Sequence, residues 1–329
     1  MTSITPHATA SPRPLPAWLA LAGAVVVGVL TALQARVNGD LGVRLDDGFV
    51  AAVVSFGSGL AILIVLSVAT RAGRRGFRAL VAGVRGRAIP WWMLAGGAAG
   101  ALTVATQGLA VGLIGVSLFT VGMVAGQALN GLVLDRIGYG PGGAVAVTVP
   151  RLIGGALALA AVALALTGEG VRGIPWWMLL LPFLTGAGIA WQQATNGRLR
   201  AKVGTPLTAT LVNFVGGTAV LAVAAVVHVA AVGAPDPFPA DPLVYTGGAI
   251  GVVYIFLSAA LVQHTGVLLL GLGAVTGQLT TSLVLDLLWP SAAGPGLAQS
   301  AVMVAVALLS VVVATVPWKR VSPRRRGRA

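Results

Sequence analysis

The chain contains no cysteine, so it can build neither a disulfide nor a thiolate metal site. It is also poor in charge: 9% of its 329 residues are Asp, Glu, Lys or Arg, against roughly 25% in a soluble domain. The three histidines, His7, His228 and His264, do not cluster. Without cysteine or grouped carboxylates, a metal or nucleophilic centre has nothing to be assembled from. A Gly-x4-Gly-Lys-Ser/Thr nucleotide loop is missing as well, which argues against an ATP-driven pump. An enzyme is not expected, nor is a cofactor.

Apolar sequence fills the space that charge leaves. Hydrophobic residues make up 57% of the chain, and its mean hydropathy is +0.94. The uncharged runs are 14–35, 48–70, 88–134, 152–168, 173–197, 203–235, 242–285 and 287–318. A membrane-crossing helix needs about 20 apolar residues, so 88–134 and 242–285 must each hold two, broken at Gly108 to Gly115 and at Gln263-His264-Thr265-Gly266. The expected fold is all-α and integral to the membrane. Its ten spans run 16–36, 48–69, 89–109, 112–134, 145–167, 174–195, 207–229, 243–263, 266–288 and 298–317. Residues 1–15, rich in Ser, Thr and Pro, read as a disordered tail, and 318–329 as a basic one.

The net charge of +13 is distributed as in a membrane protein. With the N-terminus in the cytoplasm, 18 of the 21 Lys and Arg fall in cytoplasmic segments, and only Arg36, Arg44 and Arg172 lie outside. This asymmetry places both termini in the cytoplasm. The basic loops and tail then face anionic headgroups rather than nucleic acid.

The chain repeats itself. Gly115 to Asp135 recurs as Gly266 to Asp286, 151 residues on, with 11 of 21 positions identical. The Gly126-Gln127 and Gly277-Gln278 pairs and the closing Asp135 and Asp286 are among them, which apolar composition alone would not supply. Gly28-x5-Gln34-x3-Asn38-Gly39-x-Leu41 returns at an offset of 158 as Gly186-x5-Gln192-x3-Asn196-Gly197-x-Leu199. Ala51, Phe56 and Gly59 match Ala209, Phe214 and Gly217 at that offset, with Ser55 aligned to Asn213. The chain thus divides into five-span halves, 16–167 and 174–317. Five is odd, so the second half enters the bilayer from the opposite side. The expected architecture is two inverted five-helix repeats, whose interface near the midplane is where secondary transporters bind substrate.

Taken in order, Gly28-x5-Gln34-x3-Asn38, Ser55-Phe56-x2-Gly59, Pro90-Trp91-Trp92-x3-Gly96-Gly97 and Gly126-Gln127-x7-Asp135 resemble the YdcZ-like branch of the drug/metabolite transporter (DMT) superfamily. The resemblance covers all ten spans. It implies a bacterial inner-membrane transporter with a central cavity walled by spans 1–4 and 6–9, and peripheral spans 5 and 10. It supplies no substrate.

Polar groups at membrane depth are the candidate site. Gln127 and Gln278 lie 12 residues after Gly115 and Gly266, about 18 Å into each helix and close to the middle of a roughly 30 Å core. Each amide either lines the cavity and binds substrate or bonds across spans 4 and 9, an interaction worth about 0.6–2 kcal/mol. Gln34 with Asn38, and Gln192 with Asn196, share a helix face at i, i+4. The two glutamines are the deeper cavity candidates. The two asparagines, near the expected ends of spans 1 and 6, read as gating or helix-end residues. Asn213, Gln107 and Tyr254 are further substrate-binding candidates, while Ser55, Phe56 and Phe214 read as packing. Asp135 and Asp286 close spans 4 and 9, where a structural role outweighs proton coupling. No ionisable residue falls near the centre of a span. A small neutral, zwitterionic or weakly polar solute, carried by alternating access, is the leading reading. A non-transporting scaffold or lipid-handling protein is the alternative, and a homodimer is compatible with either.

Overall fold

The computed structural model describes residues 16–140, 143–144, 146–165, 167, 174–290 and 295–315. The expected tails, 1–15 and 318–329, lie outside them. Every regular element among the described residues is helical. Six helices are long and apolar enough to cross a membrane, and Val149–Leu164 and Gly247–Ser258 are shorter apolar helices.

Helix α1 (Ala17–Leu45) ends in a two-residue turn. Asp46 takes the left-handed conformation, φ 49°, and Asp47 caps α2 (Gly48–Ala69) by accepting from Phe49 N and Val50 N. The sequence placed the end of span 1 at residue 36, at the first arginine. The helix runs about two turns further and carries charged residues within it, Arg44 pairing with Asp40 one turn earlier at 3.0 Å and half-exposed. Helix α8 (Trp176–Val203) outruns its expected end at 195 in the same way, through Arg198, Arg200 and Lys202.

The arginine-rich segment after α2 is itself a helix, α3 (Arg71–Arg85), started by Thr70 Oγ1 accepting from Gly73 N. Gly73 and Gly76 are buried, Gly73 against Ser67 and Gly76 against Thr205 and Thr208. Arg71, Arg74, Arg75 and Arg78 stand in solvent. Span 3 enters through a 3-10 turn, Trp91–Leu94, and continues as α4 (Gly96–Thr106), a π-helical turn Gln107–Val111, and the short α5 (Gly112–Ile114). Gly115, at φ 84°, breaks the chain before α6 (Val116–Arg136). Helix α7 (Val149–Ala165) lies between α6 and α8 in the chain, and α9 (Pro206–Val232) begins on a Thr205 cap. Helix α11 (Leu297–Thr315) packs against α7 at the edge of the bundle.

The break expected at 263–266 is helical instead, within α10 (Gly247–Leu288, 42 residues). A straight helix of that length would reach about 63 Å, twice the hydrocarbon core. Its contacts with α1 show that it is not straight. Gly247 lies on Asn38, Gly251 on Gln34 and Leu261 on Gly23, and then Gly273 lies on Ala24, Gly277 on Val25 and Gln278 beside Gly28. The first limb therefore runs antiparallel to α1 and the second runs back along it, with the reversal between Leu261 and Gly273.

The packing comes in pairs exchanged between the two halves. A Cβ on Gly28 would fall onto the Ala274 carbonyl oxygen, and one on Gly186 onto that of Met123. Ala274 and Met123 are 151 residues apart, as Gly186 and Gly28 are 158. Small residues here let helix backbones touch, as membrane helices require. Phe56 abuts Gly217 and Phe214 abuts Gly59. The two rings stack on one another, centroids 4.7 Å apart and planes at 26°.

Candidate functional site

The i, i+4 spacing on α1 puts Gln34 and Asn38 on its inner face, where they meet Ser55 of α2 and Gln107 of the π turn. All four are 0–2% exposed. Gln34 Nε2 donates to the Gly247 carbonyl at 2.9 Å, and Asn38 Nδ2 donates to Gln107 Oε1 at 2.7 Å. Four atoms remain buried without a partner: Gln34 Oε1, Asn38 Oδ1, Ser55 Oγ and Gln107 Nε2. Each such atom carries a desolvation cost of about 1–3 kcal/mol if nothing binds it.

The equivalent positions of the second half form a second cluster. Gln192 Nε2 and Asn196 Nδ2, both from α8, donate to Asn213 Oδ1 of α9 at 2.9 and 3.3 Å. Asn213 Nδ2 is buried and unpartnered. Gly96 and Gly100 of α4 face this cluster as Gly247 and Gly251 of α10 face the first. The stacked phenylalanines stand between the two clusters. Phe56 Cζ shares the Gly100 neighbourhood with Gln192 and Asn213, and Phe214 Cζ shares that of Gly251 with Gln34.

One expectation needs correction here. Asn38 and Asn196 are not helix-end residues, because α1 and α8 each continue for about two turns beyond them, and Asn38 is 1% exposed. Counting uncharged runs stopped both spans short, which moved the asparagines outward on paper.

Gln127 and Gln278 do not join either cluster. Gln278 is 4% exposed and reaches α6 one turn before Gln127, with its Nε2 3.9 Å from Met123 Sδ. Gln127 is half-buried. Tyr254 packs beside Ala24, Val27 and Leu261. Asp286 caps α6, its two carboxylate oxygens accepting from Val116 N at 2.8 Å and Ser117 N at 2.7 Å. Asp135 pairs with Arg151 at 2.8 Å.

The family model described as "Putative inner membrane exporter, YdcZ" matches residues 19–164 and 176–314, nearly the whole chain. The chain belongs to the YdcZ family. It is therefore a multi-pass protein of an inner-membrane transporter family rather than an enzyme. A solved structure described only as "Crystal structure of protein" is similar at a TM-score of 0.52 and 20% identity, over 91% of this chain and 96% of that one. That likeness shows the fold alone. No curated protein matches the chain.

In this YdcZ family member both amide clusters are uncharged, so they can recognise a solute by hydrogen bonds but cannot pass a proton through a carboxylate. Sequence reading missed a third group beside Asn196. Arg198 lies over the rings of Tyr139 at 4.8 Å and Trp92 at 5.6 Å and donates to the Gly138 carbonyl at 3.1 Å. Tyr139 Oη accepts from Trp191 Nε1 at 3.1 Å and bonds Thr195 Oγ1 at 3.0 Å. Comparison of the halves could not have found this group, because the residue equivalent to Arg198 is Asp40.

Proposed function

We propose that the protein is a secondary transporter built from two inverted five-helix repeats, 16–167 and 174–317, with both termini in the cytoplasm. It moves a small uncharged or weakly polar solute by alternating access. The observation that carries this reading is the doubling of the site: two buried amide clusters at equivalent positions, separated by Phe56 stacked on Phe214. One cluster belongs to α1, α2 and the π turn after α4, and the other to α8 and the start of α9. In an inverted repeat they stand toward opposite faces of the membrane, and rocking one half on the other opens them in turn. The glycine crossings at Gly28 and Gly186 supply flat surfaces on which such a motion can slide. Gln127 and Gln278 lie on the same two crossings and line the path. The basic helix α3 rests on anionic headgroups at the cytoplasmic face.

Counterflow in proteoliposomes tests the reading. A preloaded solute that drives uptake of its labelled form through wild-type protein supports it. Binding with no flux in either direction favours a lipid-handling or scaffold role.

A further inference from the structure

We infer, resting on the transport reading, that the site takes an uncharged hydroxyl- or carboxamide-bearing solute such as a polyol, and excludes its ionised analogues. The inference comes from which polar atoms the first cluster leaves unused.

Gln34 is fixed in orientation. Its Nε2 faces the Gly247 carbonyl, and a flipped amide would set two oxygens against each other. Its Oε1 is therefore a free acceptor. Asn38 and Gln107 bond amide to amide. Whichever way that pair is turned, one acceptor and one donor remain unused. Ser55 adds a hydroxyl that can give or take. Asn38 Oδ1 and Ser55 Oγ pack over the same glycine, Gly247, where an added Cβ would meet them both. The cluster thus offers two acceptors, one donor and one hydroxyl, all at most 2% exposed.

A carboxylate, which only accepts, would find one wholly unused amide nitrogen and a hydroxyl against two repelling oxygens. An ammonium would find acceptors but no countercharge to offset its desolvation. Two acids lie on the same helices, and each is engaged elsewhere. Asp47 is held at the start of α2 by Phe49 N and Val50 N, with His228 Nε2 3.9 Å away, two turns from Ser55. Asp40 is paired with Arg44 at the surface. A hydroxyl or carboxamide, donor and acceptor at once, matches the mixed set. The second cluster is neutral too and presents the Asn213 Nδ2 donor. The two half-sites differ in what they offer at Ser55 against Asn213, and at Gln107, whose equivalent 151 residues on is Ser258.

The test is a thermal-shift titration of purified full-length protein in lipid nanodiscs. The probes are tetritols, pentitols, hexitols and simple carboxamides, each set beside the aldonate or aminopolyol of the same carbon skeleton. The expected result is saturable stabilisation by a neutral member at millimolar concentration or below, with its charged counterparts at least about tenfold weaker. Gln34→Leu should weaken that binding about tenfold or more. Ser55→Ala removes one hydroxyl from a small-residue stripe and serves as the variant least able to disturb folding, and it should weaken binding in the same direction. Stabilisation by the charged analogues alone, stabilisation equal across the series or insensitive to both variants, or none from any neutral probe overturns the inference. Flux of the same compounds in proteoliposomes separates the two claims. A neutral ligand that binds without crossing supports the solute class and sinks the transport reading, whereas a charged compound that crosses does the reverse.

Discussion

Phe56 and Phe214 occupy equivalent positions in the two halves and stack on each other, ring centroids 4.7 Å apart. Each is buried, at 3% and 1% exposure, and each abuts a glycine equivalent to the one its partner abuts. A residue that touches its own equivalent lies on the axis relating the halves. The pair stands between the two amide clusters.

Truncating that pair should act almost symmetrically. Phe56→Ala and Phe214→Ala each remove a buried ring, at a cost of about 3–5 kcal/mol by the precedent of soluble cores. The expected outcome is similar melting-temperature losses for the two variants, together with a passive leak of small polyols that wild-type proteoliposomes do not show. A stability loss confined to one variant would place the ring pair off the axis.

Glycine replacements should divide sharply by position. Gly28→Ala and Gly186→Ala drive a methyl into the carbonyl of the neighbouring helix, whereas Gly57 and Gly131 have nothing within 4 Å of an added Cβ. Fluorescence-detected size exclusion should show the first two variants aggregated or absent. Gly57→Ala and Gly131→Ala should remain monodisperse, with stability unchanged or raised by up to about 1 kcal/mol.

The two aspartates close equivalent spans but do different work. Asp286 satisfies two N–H groups at the start of α6, which its replacement by Ala would orphan, at a cost of about 0.5–2 kcal/mol. Asp135 sits in a partly exposed pair with Arg151, side chains 37% and 23% exposed, of a kind worth about 0–1 kcal/mol. Asp286→Ala should therefore lower the melting temperature more than Asp135→Ala. The reverse order would contradict the capping role.

Gln127→Ala and Gln278→Ala should leave membrane expression largely intact and reduce counterflow. Normal transport in both would make these amides helix glue. The structure already separates them, since Gln278 is buried against Met123 and Gln127 is half-buried. The larger transport loss should follow Gln127.

Much of this was legible before any coordinates. The repeat offsets of 151 and 158 named the residues that form the paired crossings, because a glycine that lets two backbones touch leaves a letter in the sequence. Span 2 was placed at its observed ends, since Asp47 and Arg71 bracket an uncharged run. What failed was the assumption that charge ends a helix, which cut α1 and α8 short and displaced Asn38 and Asn196. The partnership of Asn38 with Gln107 was not legible, because no spacing in the sequence ties Gln107, at the start of a π turn, to span 1. Helix α3 went unseen because a cluster of arginines was read as a loop, although Arg71, Arg74, Arg75 and Arg78 recur at helical spacing.

The account stands on the second half being inserted upside down, and the cysteine-free chain makes that directly measurable. Single cysteines at Arg78, on α3, and at Phe238, exposed between α9 and α10, can be probed in intact cells and inverted vesicles with a membrane-impermeant maleimide. Arg78→Cys should react only from the cytoplasmic face and Phe238→Cys only from the outer face. If both react from the same face, the halves are not inverted and the two clusters cannot open alternately.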